Sequence, residues 1–337
     1  MAVLSADQAF RKACECYRAG RHHDAAAICR AVLEVERGHA DSAWLLALIA
    51  AREGRSADAD RLLAQATEGR AFAITLDYPV PDAPRHATVP HARLHGVLER
   101  DAAAYSALLQ SFARLAPALR AIPATAGGPD EPHWNNRWLP AFDGIALYCL
   151  IASRNPRRYV EIGSGNSTRF ARRAIRDLGL RTRILSIDPE PRAEVDALCD
   201  ETVRTPLEKT DLSLFRRLTA EDLVFVDSSH RCFMGSDVTV FFTEVLPALA
   251  SRVTVGVHDV FLPFDYPAEW VPRYYSEQYL LACYLLSAVA PFRVLLPMHF
   301  ALTHAACRQA VAVLADVLPP AVAHGGTSFW LETADGR

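Results

Sequence analysis

The chain has 337 residues, 51% hydrophobic and 22% charged, which excludes disordered, collagen-like and low-complexity classes and suggests two domains. Its 36 basic and 39 acidic residues leave a formal charge of −3, without the basic excess of a nucleic-acid binder. Only Lys12 and Lys209 are lysines, so a mechanism built on a catalytic lysine has almost no candidates. The eight cysteines include no C-x-x-C pair and read as reduced thiols of a cytoplasmic protein. No basic segment followed by an apolar run opens the chain, and no stretch of ~18 apolar residues lacks charges, so neither a signal peptide nor a membrane span is expected.

Residues 7–68 repeat with a period of 34: Ala13 recurs as Ala47, Gly20-Arg21 as Gly54-Arg55, Asp24-Ala25 as Asp58-Ala59 and Ile28 as Leu62. Small residues at tight helix crossings with that period resemble the tetratricopeptide family, although Arg37 and Ala71 stand where its usual proline would be. The resemblance implies an N-terminal all-α domain over 1–70 that either recruits a protein partner or serves as a plain helical cap. Two repeats rarely stand alone, so the amphipathic run His91–Ile122 is expected to continue them. Pro- and Gly-rich stretches at 77–90 and 123–132 read as linkers, and the second is the better boundary. The predicted division is 1–70 helical repeats, 71–130 linker and additional helix, and 131–337 catalytic domain.

Beyond residue 131 apolar strands alternate with helices. Strands are predicted at Arg158–Ile162, Arg183–Ile187, Thr202–Arg204, Leu223–Val226, Val253–Val257, Phe292–Leu296 and Ser328–Leu331. Helices are predicted at Ser167–Leu178, Ala193–Cys199, Leu212–Leu218, Val238–Leu249 and Ser276–Ala288. This alternation indicates a parallel sheet covered on both faces, with ligands beyond the carboxyl ends of its strands.

The first strand delivers Glu161, Gly163, Ser164, Gly165 and Asn166 into a tight turn. The spacing departs from the dinucleotide fingerprint because Thr168 replaces its third glycine, and no P-loop follows. The second strand ends in Asp188, suited to accept hydrogen bonds from ribose hydroxyls. These motifs, with LVFVDSSH and VHDVF, resemble the class I S-adenosylmethionine-dependent methyltransferases from about Trp134 to Leu331. The resemblance implies a Rossmann-like, doubly wound, mostly parallel seven-stranded sheet and S-adenosylmethionine as cofactor. Glu161 and the Gly163–Gly165 turn with Asn166 would hold its methionine part and Asp188 its ribose. Pro206, Leu207 and Glu208 would lie near the adenine, and Asp227 would face the cofactor.

Two further strand ends bring Asp227, His230, His258 and Asp259 to one mouth. The placement resembles the metal-dependent O-methyltransferases of catechol type, with Asp227 as their first aspartate and His258-Asp259 in place of their Asp-Asn pair. His230 stands where their lysine base would be, and a histidine is matched to base chemistry near neutral pH. The resulting expectation is O-methylation of a small-molecule or carrier-bound hydroxyl. His230 would be the base, with Asp227 beside it, and a divalent cation could sit on Asp227, His258 and Asp259. Two flanking segments, one with Trp134, Asn135 and Asn136 and one with Trp270, Tyr274 and Tyr275, are expected to shape the acceptor pocket. Arg273 and Glu277 have the spacing of a pair on a helix surface. The competing readings are a non-catalytic scaffold and a metal-dependent hydroxylase. No nucleic-acid or membrane partner is expected.

Overall fold

The computed structural model describes residues 5–67 and 83–334, except 192, 193, 288, 289 and 291. The expected linker segment 77–82 and Ala193 therefore lie outside the described residues. The chain divides into two compact units, Met1–Pro81 and Asp82–Arg337.

Among its described residues the first unit contains four helices, α1 (Ala6–Arg18), α2 (His22–Val35), α3 (Ala40–Arg52) and α4 (Ser56–Thr67). Ser5 and Gln8 close a capping box on α1. The 34-residue period extends from sequence to backbone. Gly20 and Gly54 both have φ of +75°, and the amides of Arg21 and Arg55 bond the carbonyls of Cys16 and Ala50. Ala13, Ala25, Ala47 and Ala59 are all buried, where a larger side chain would hold neighbouring helices apart. Cys16, Cys29, Leu45, Leu46 and Ile49 complete this small core.

The second unit is a seven-stranded mixed sheet: β1 (Arg158–Ile162), β2 (Arg183–Ile187), β3 (Glu201–Val203), β4 (Asp222–Val226), β5 (Thr254–Val257), β6 (Phe292–Pro297) and β7 (Phe329–Thr333). The order is β3-β2-β1-β4-β5-β7-β6. The first five strands pair in parallel, whereas β7 is antiparallel to both neighbours, so the sheet is not wholly parallel. Gly256 in the centre makes room for Phe225 and Trp330, whose rings stack at 5.4 Å; a β-carbon on Gly256 would lie 2.6 Å from Trp330.

The run 91–122 forms α5 (Ala92–Glu99), α6 (Ala102–Phe112) and α7 (Ala116–Arg120). Their Leu94, Leu98, Tyr105, Leu109, Phe112 and Leu119 belong to the sheet unit's core, in the unit that begins at Asp82. Together they form a wide apolar face that only a large core can bury. Helices α8 (Ala141–Arg154) and α9 (Asn166–Leu178) pack on each other, and α9 ends on Gly179 in the left-handed region. Among the described residues between β2 and β3, a 3₁₀ turn, Asp196–Leu198, stands in the region of the expected helix. The next helix shortens to α10 (Ser213–Arg216). After β4, α11 (Asp237–Val240) passes into a π-helical turn, Phe241–Val245, and a 3₁₀ turn, Leu246–Ala248. Pro247 lacks the N–H that a continuous helix would direct at Thr243, which accounts for the break. Helices α12 (Glu277–Leu286), α13 (Met298–Thr303) and α14 (Arg308–Ala315) complete the unit.

Candidate active site

The ends of β1, β2 and β4 open on a cavity of about 790 Å³. Gly163, Ser164, Gly165, Asn166, Asp188, Pro206, Leu207 and Asp227 line it, as the sequence places them. Gly163 has φ of +82°, and a β-carbon there would lie 1.8 Å from the carbonyl oxygen of Asp227. Only glycine lets the β1 turn pass this close to the end of β4. Asp188 accepts from the Ser164 amide at 2.7 Å and the Glu190 amide at 2.9 Å, so the loop backbone aims its carboxylate.

Glu161 is placed otherwise. It is fully buried, takes hydrogen bonds from Tyr159 and Thr168, and is not among the residues lining the cavity. Burial pushes its pKa up to about 7, against the pull of its hydrogen bonds from Ser167, Thr168 and Tyr159. Thr168 also accepts from the Gly165 amide, so Glu161 fixes the start of α9 through Thr168. The third glycine's replacement thus has a structural task.

Asn136 faces this cavity rather than an acceptor pocket. Its Oδ1 receives the amides of Trp138 and Leu139 and the side chain of Asn166. Arg169, which sequence reasoning missed, also lines the cavity and donates to Asn166 at 2.9 Å. Its position one turn into α9 was the available signal.

A second cavity, of about 590 Å³, is lined by residues that include Arg137, Trp138, Asp259, Phe261, Trp270, Arg273 and His299. Trp138 borders both cavities. Of the six expected acceptor residues only Trp270 is here. Trp134 is buried against Phe170, while Asn135 and Tyr274 are exposed and line neither cavity. Tyr275 packs on His230 with ring centroids 4.5 Å apart.

Between the cavities lies a chain of carboxylates and imidazoles. Asp227 lines the first cavity and Asp259 the second. His230 Nε2 lies 3.2 Å from Asp227 Oδ1 and 3.6 Å from Asp259 Oδ2, and its Nδ1 bonds Glu277. His258 Nδ1 stands 3.3 Å from Asp227 Oδ1 and 3.5 Å from Asp259 Oδ1, with its Nε2 3.3 Å from Asp143 Oδ2. Asp143 in turn accepts from the amides of Thr327 and Ser328, which ties α8 to the entry of β7. Glu277 is fully buried at the start of α12, not paired with Arg273 on a surface. The amides of Ser276 and Glu277 also bond the His230 carbonyl, so the loop after β4 is clamped by backbone and side chain together. His230 and Asp259 have positive φ of 61° and 54°, conformations that cost roughly 1–3 kcal/mol each outside glycine. Such strain clusters at functional sites.

The electrostatics follow from this packing. Burial alone would raise the Asp227 pKa, but His258 and His230 hold it far below the usual carboxylate range. Burial alone would lower both imidazoles. Glu277 and Asp227 overcome it at His230, and Asp227 and Asp259 overcome it at His258, so both stand well above their ordinary value. Burial keeps Glu277 above its ordinary value, although His230 pulls it down.

A cation would find Asp227, His230 and Asp259, whose donor atoms lie within 4.8 Å of one another. The expected set had His258 in place of His230. In the structure the nitrogens of both rings face carboxylates, and His230 presents Nε2 to Asp227 and Asp259 with Nδ1 held by Glu277, the outer carboxylate that commonly orients a metal-bound imidazole. The donor set fits a divalent cation of the Mn, Fe or Zn type.

Residues 160–260 match the model of a methyltransferase domain family. The matched span runs from β1 through the end of β5 and so contains the glycine turn, Asp188 and the Asp227–Asp259 cluster of this domain. Among solved structures, the chain is similar to the SAH-bound methyltransferase PaMTH1 of Podospora anserina, at 16% identity and a TM-score of 0.37, over 68% of this chain and 88% of that one. It is also similar to the MycE methyltransferase of the mycinamycin biosynthetic pathway, solved with Mg, SAH and mycinamycin VI, at 18% identity and a TM-score of 0.34, over 58% of this chain and half of that one. No curated protein compared with the chain matches it. No helix among the described residues is long and apolar enough to cross a membrane.

Proposed function

We propose that this chain is an S-adenosylmethionine-dependent methyltransferase acting on a hydroxyl of a small or carrier-bound acceptor. The observation that carries the reading is the meeting of two cavities at Asp227 and Asp259, one cavity built on the glycine turn of the methyltransferase domain. The first takes the cofactor: Asp188, aimed by two amides, suits the ribose hydroxyls, and Leu207 offers an apolar wall for the base. S-adenosylmethionine supplies an electrophilic methyl group on its sulfonium, so the protein must align the acceptor and handle its proton. Asp227 and Asp259 are the carboxylates of the acid–imidazole chain that reach the cavities, and they accept the hydroxyl's hydrogen bond and orient its oxygen.

His230 takes a different part from the free base expected of it. It is 4% exposed, lines neither cavity and is held protonated by Glu277 and Asp227. A cation held by Asp227, His230 and Asp259 would take the place of the proton on His230 Nε2 and would lower the pKa of an acceptor hydroxyl, an acidity these residues alone do not provide. Glu277 presents His230 Nε2 to that position.

The four N-terminal helices are proposed as a tetratricopeptide-like module for a protein partner, on the strength of the period shared by sequence and backbone. The central test is calorimetry with S-adenosylhomocysteine. The wild-type chain should bind it and Asp188→Ala should weaken binding about tenfold or more, the loss of charge-assisted hydrogen bonds to two hydroxyls. Absence of binding to the wild type would sink the reading.

A further inference from the structure

The second cavity carries a chemical signature of its own, separate from the cofactor cavity. Trp270 and Phe261 stand edge to face at 5.2 Å on one wall. The Arg273 guanidinium lies 3.9 Å over the Trp270 ring, so its flat face is covered and its N–H edge is left for a ligand. Neither Arg273 nor Arg137 forms a side-chain hydrogen bond or ion pair among the described residues, and Glu269, which lines the same cavity, pairs with neither. Asp259 closes the opposite requirement: it reaches the cavity while held by His230 and by the Thr327 hydroxyl at 3.3 Å. The cavity therefore combines aromatic walls, two guanidinium groups without acidic partners, and the Asp259 carboxylate at the junction with the cofactor side.

Resting on the methyltransferase reading above, we propose that the acceptor is a planar hydroxy acid. Its ring would lie against Trp270 and Phe261, its carboxylate would meet Arg273 and Arg137, and its hydroxyl would lie at Asp259. A planar carboxylate matches the guanidinium edge in two parallel hydrogen bonds, which a neutral or sugar-like acceptor cannot form. Aromatic walls favour a flat, unsaturated ring, and about 590 Å³ is within the range of small-molecule sites.

The experiment titrates the full chain, with S-adenosylhomocysteine present, with 3,4-dihydroxybenzoate and 3,4-dihydroxycinnamate and with the neutral amide of each. Binding is followed by calorimetry and by quenching of tryptophan fluorescence. At least one acid should bind roughly tenfold or more tightly than its amide, and Arg273→Gln should abolish that preference. In the variant the melting temperature and S-adenosylhomocysteine affinity should stay unchanged. Equal affinity of acid and amide, an Arg273→Gln variant that keeps the preference, or no binding of either acid at millimolar concentration overturns the proposal. Loss of S-adenosylhomocysteine binding in the wild type would instead overturn the methyltransferase reading, so the two failures are distinguishable.

Discussion

At the scale of single residues, protonation is decided by what surrounds a group rather than by its type. His230 reads from sequence as a base near neutral pH, but Glu277 and Asp227 flank both its nitrogens and favour the imidazolium. Its folded pKa, like that of His258, is raised above the unfolded 6.5. Their stabilising contribution is therefore complete below pH 6.5 and is lost only as pH rises through the folded values. Imidazole ¹⁵N spectra should show both rings losing a proton only above the ordinary 6.5; titration near 6.5 would return His230 to the base role. Glu161 gives the opposite slope. Below pH 4.5 it is protonated folded or unfolded, and between 4.5 and about 7 only the unfolded chain ionises, so its burial costs increasing stability as pH rises. Glu161→Gln should lack this penalty. The stability difference from wild type, measured by denaturant melts, should move in the variant's favour by up to about 3 kcal/mol over that range.

At the scale of elements, glycines with similar φ have different reasons to be glycine. A β-carbon at Gly20 or Gly54 would meet nothing within 4 Å, so only the left-handed backbone at the end of α1 or α3 matters. Gly20→Ala and Gly54→Ala should each cost about 1 kcal/mol, equally, by chemical denaturation. Gly163→Ala must also push aside the Asp227 backbone. It should cost about 3 kcal/mol or more and remove S-adenosylhomocysteine binding in calorimetry. Element ends were less legible than glycines. The expected helix over Val238–Leu249 carries the right apolar period, yet Pro247 and packing turn its second half into π and 3₁₀ geometry. Apolar spacing says which face is buried and leaves the hydrogen-bond register open.

At the scale of the whole molecule, each core lies within one unit. Every residue lining the two cavities belongs to the second unit. A chain beginning at residue 83 should therefore bind S-adenosylhomocysteine with the affinity of the full chain. A drop of tenfold or more would show that residues 1–82 contribute to the site. The helices at 92–120 explain why the cut belongs there: Tyr105, Leu109 and Phe112 are fully buried in the sheet unit's core.

The sequence by itself determined the repeat, the order of strands and helices, the glycine turn with Asp188, and the gathering of Asp227, His230, His258 and Asp259. These are local in the chain: apolar period, residue type and spacing read them directly, and strand ends of a parallel sheet fall on one edge. Only the tertiary structure decided that Glu277 and Asp143 close the acid–imidazole chain, 47 and 115 residues from the histidines they meet in His230 and His258. The same holds for Glu161 turning inward to Thr168, for Trp134 packing in the core, and for β7 running antiparallel between β5 and β6. Each depends on which surfaces meet when distant segments bury their apolar faces together, and the protonation of a buried group depends on the partners that burial selects.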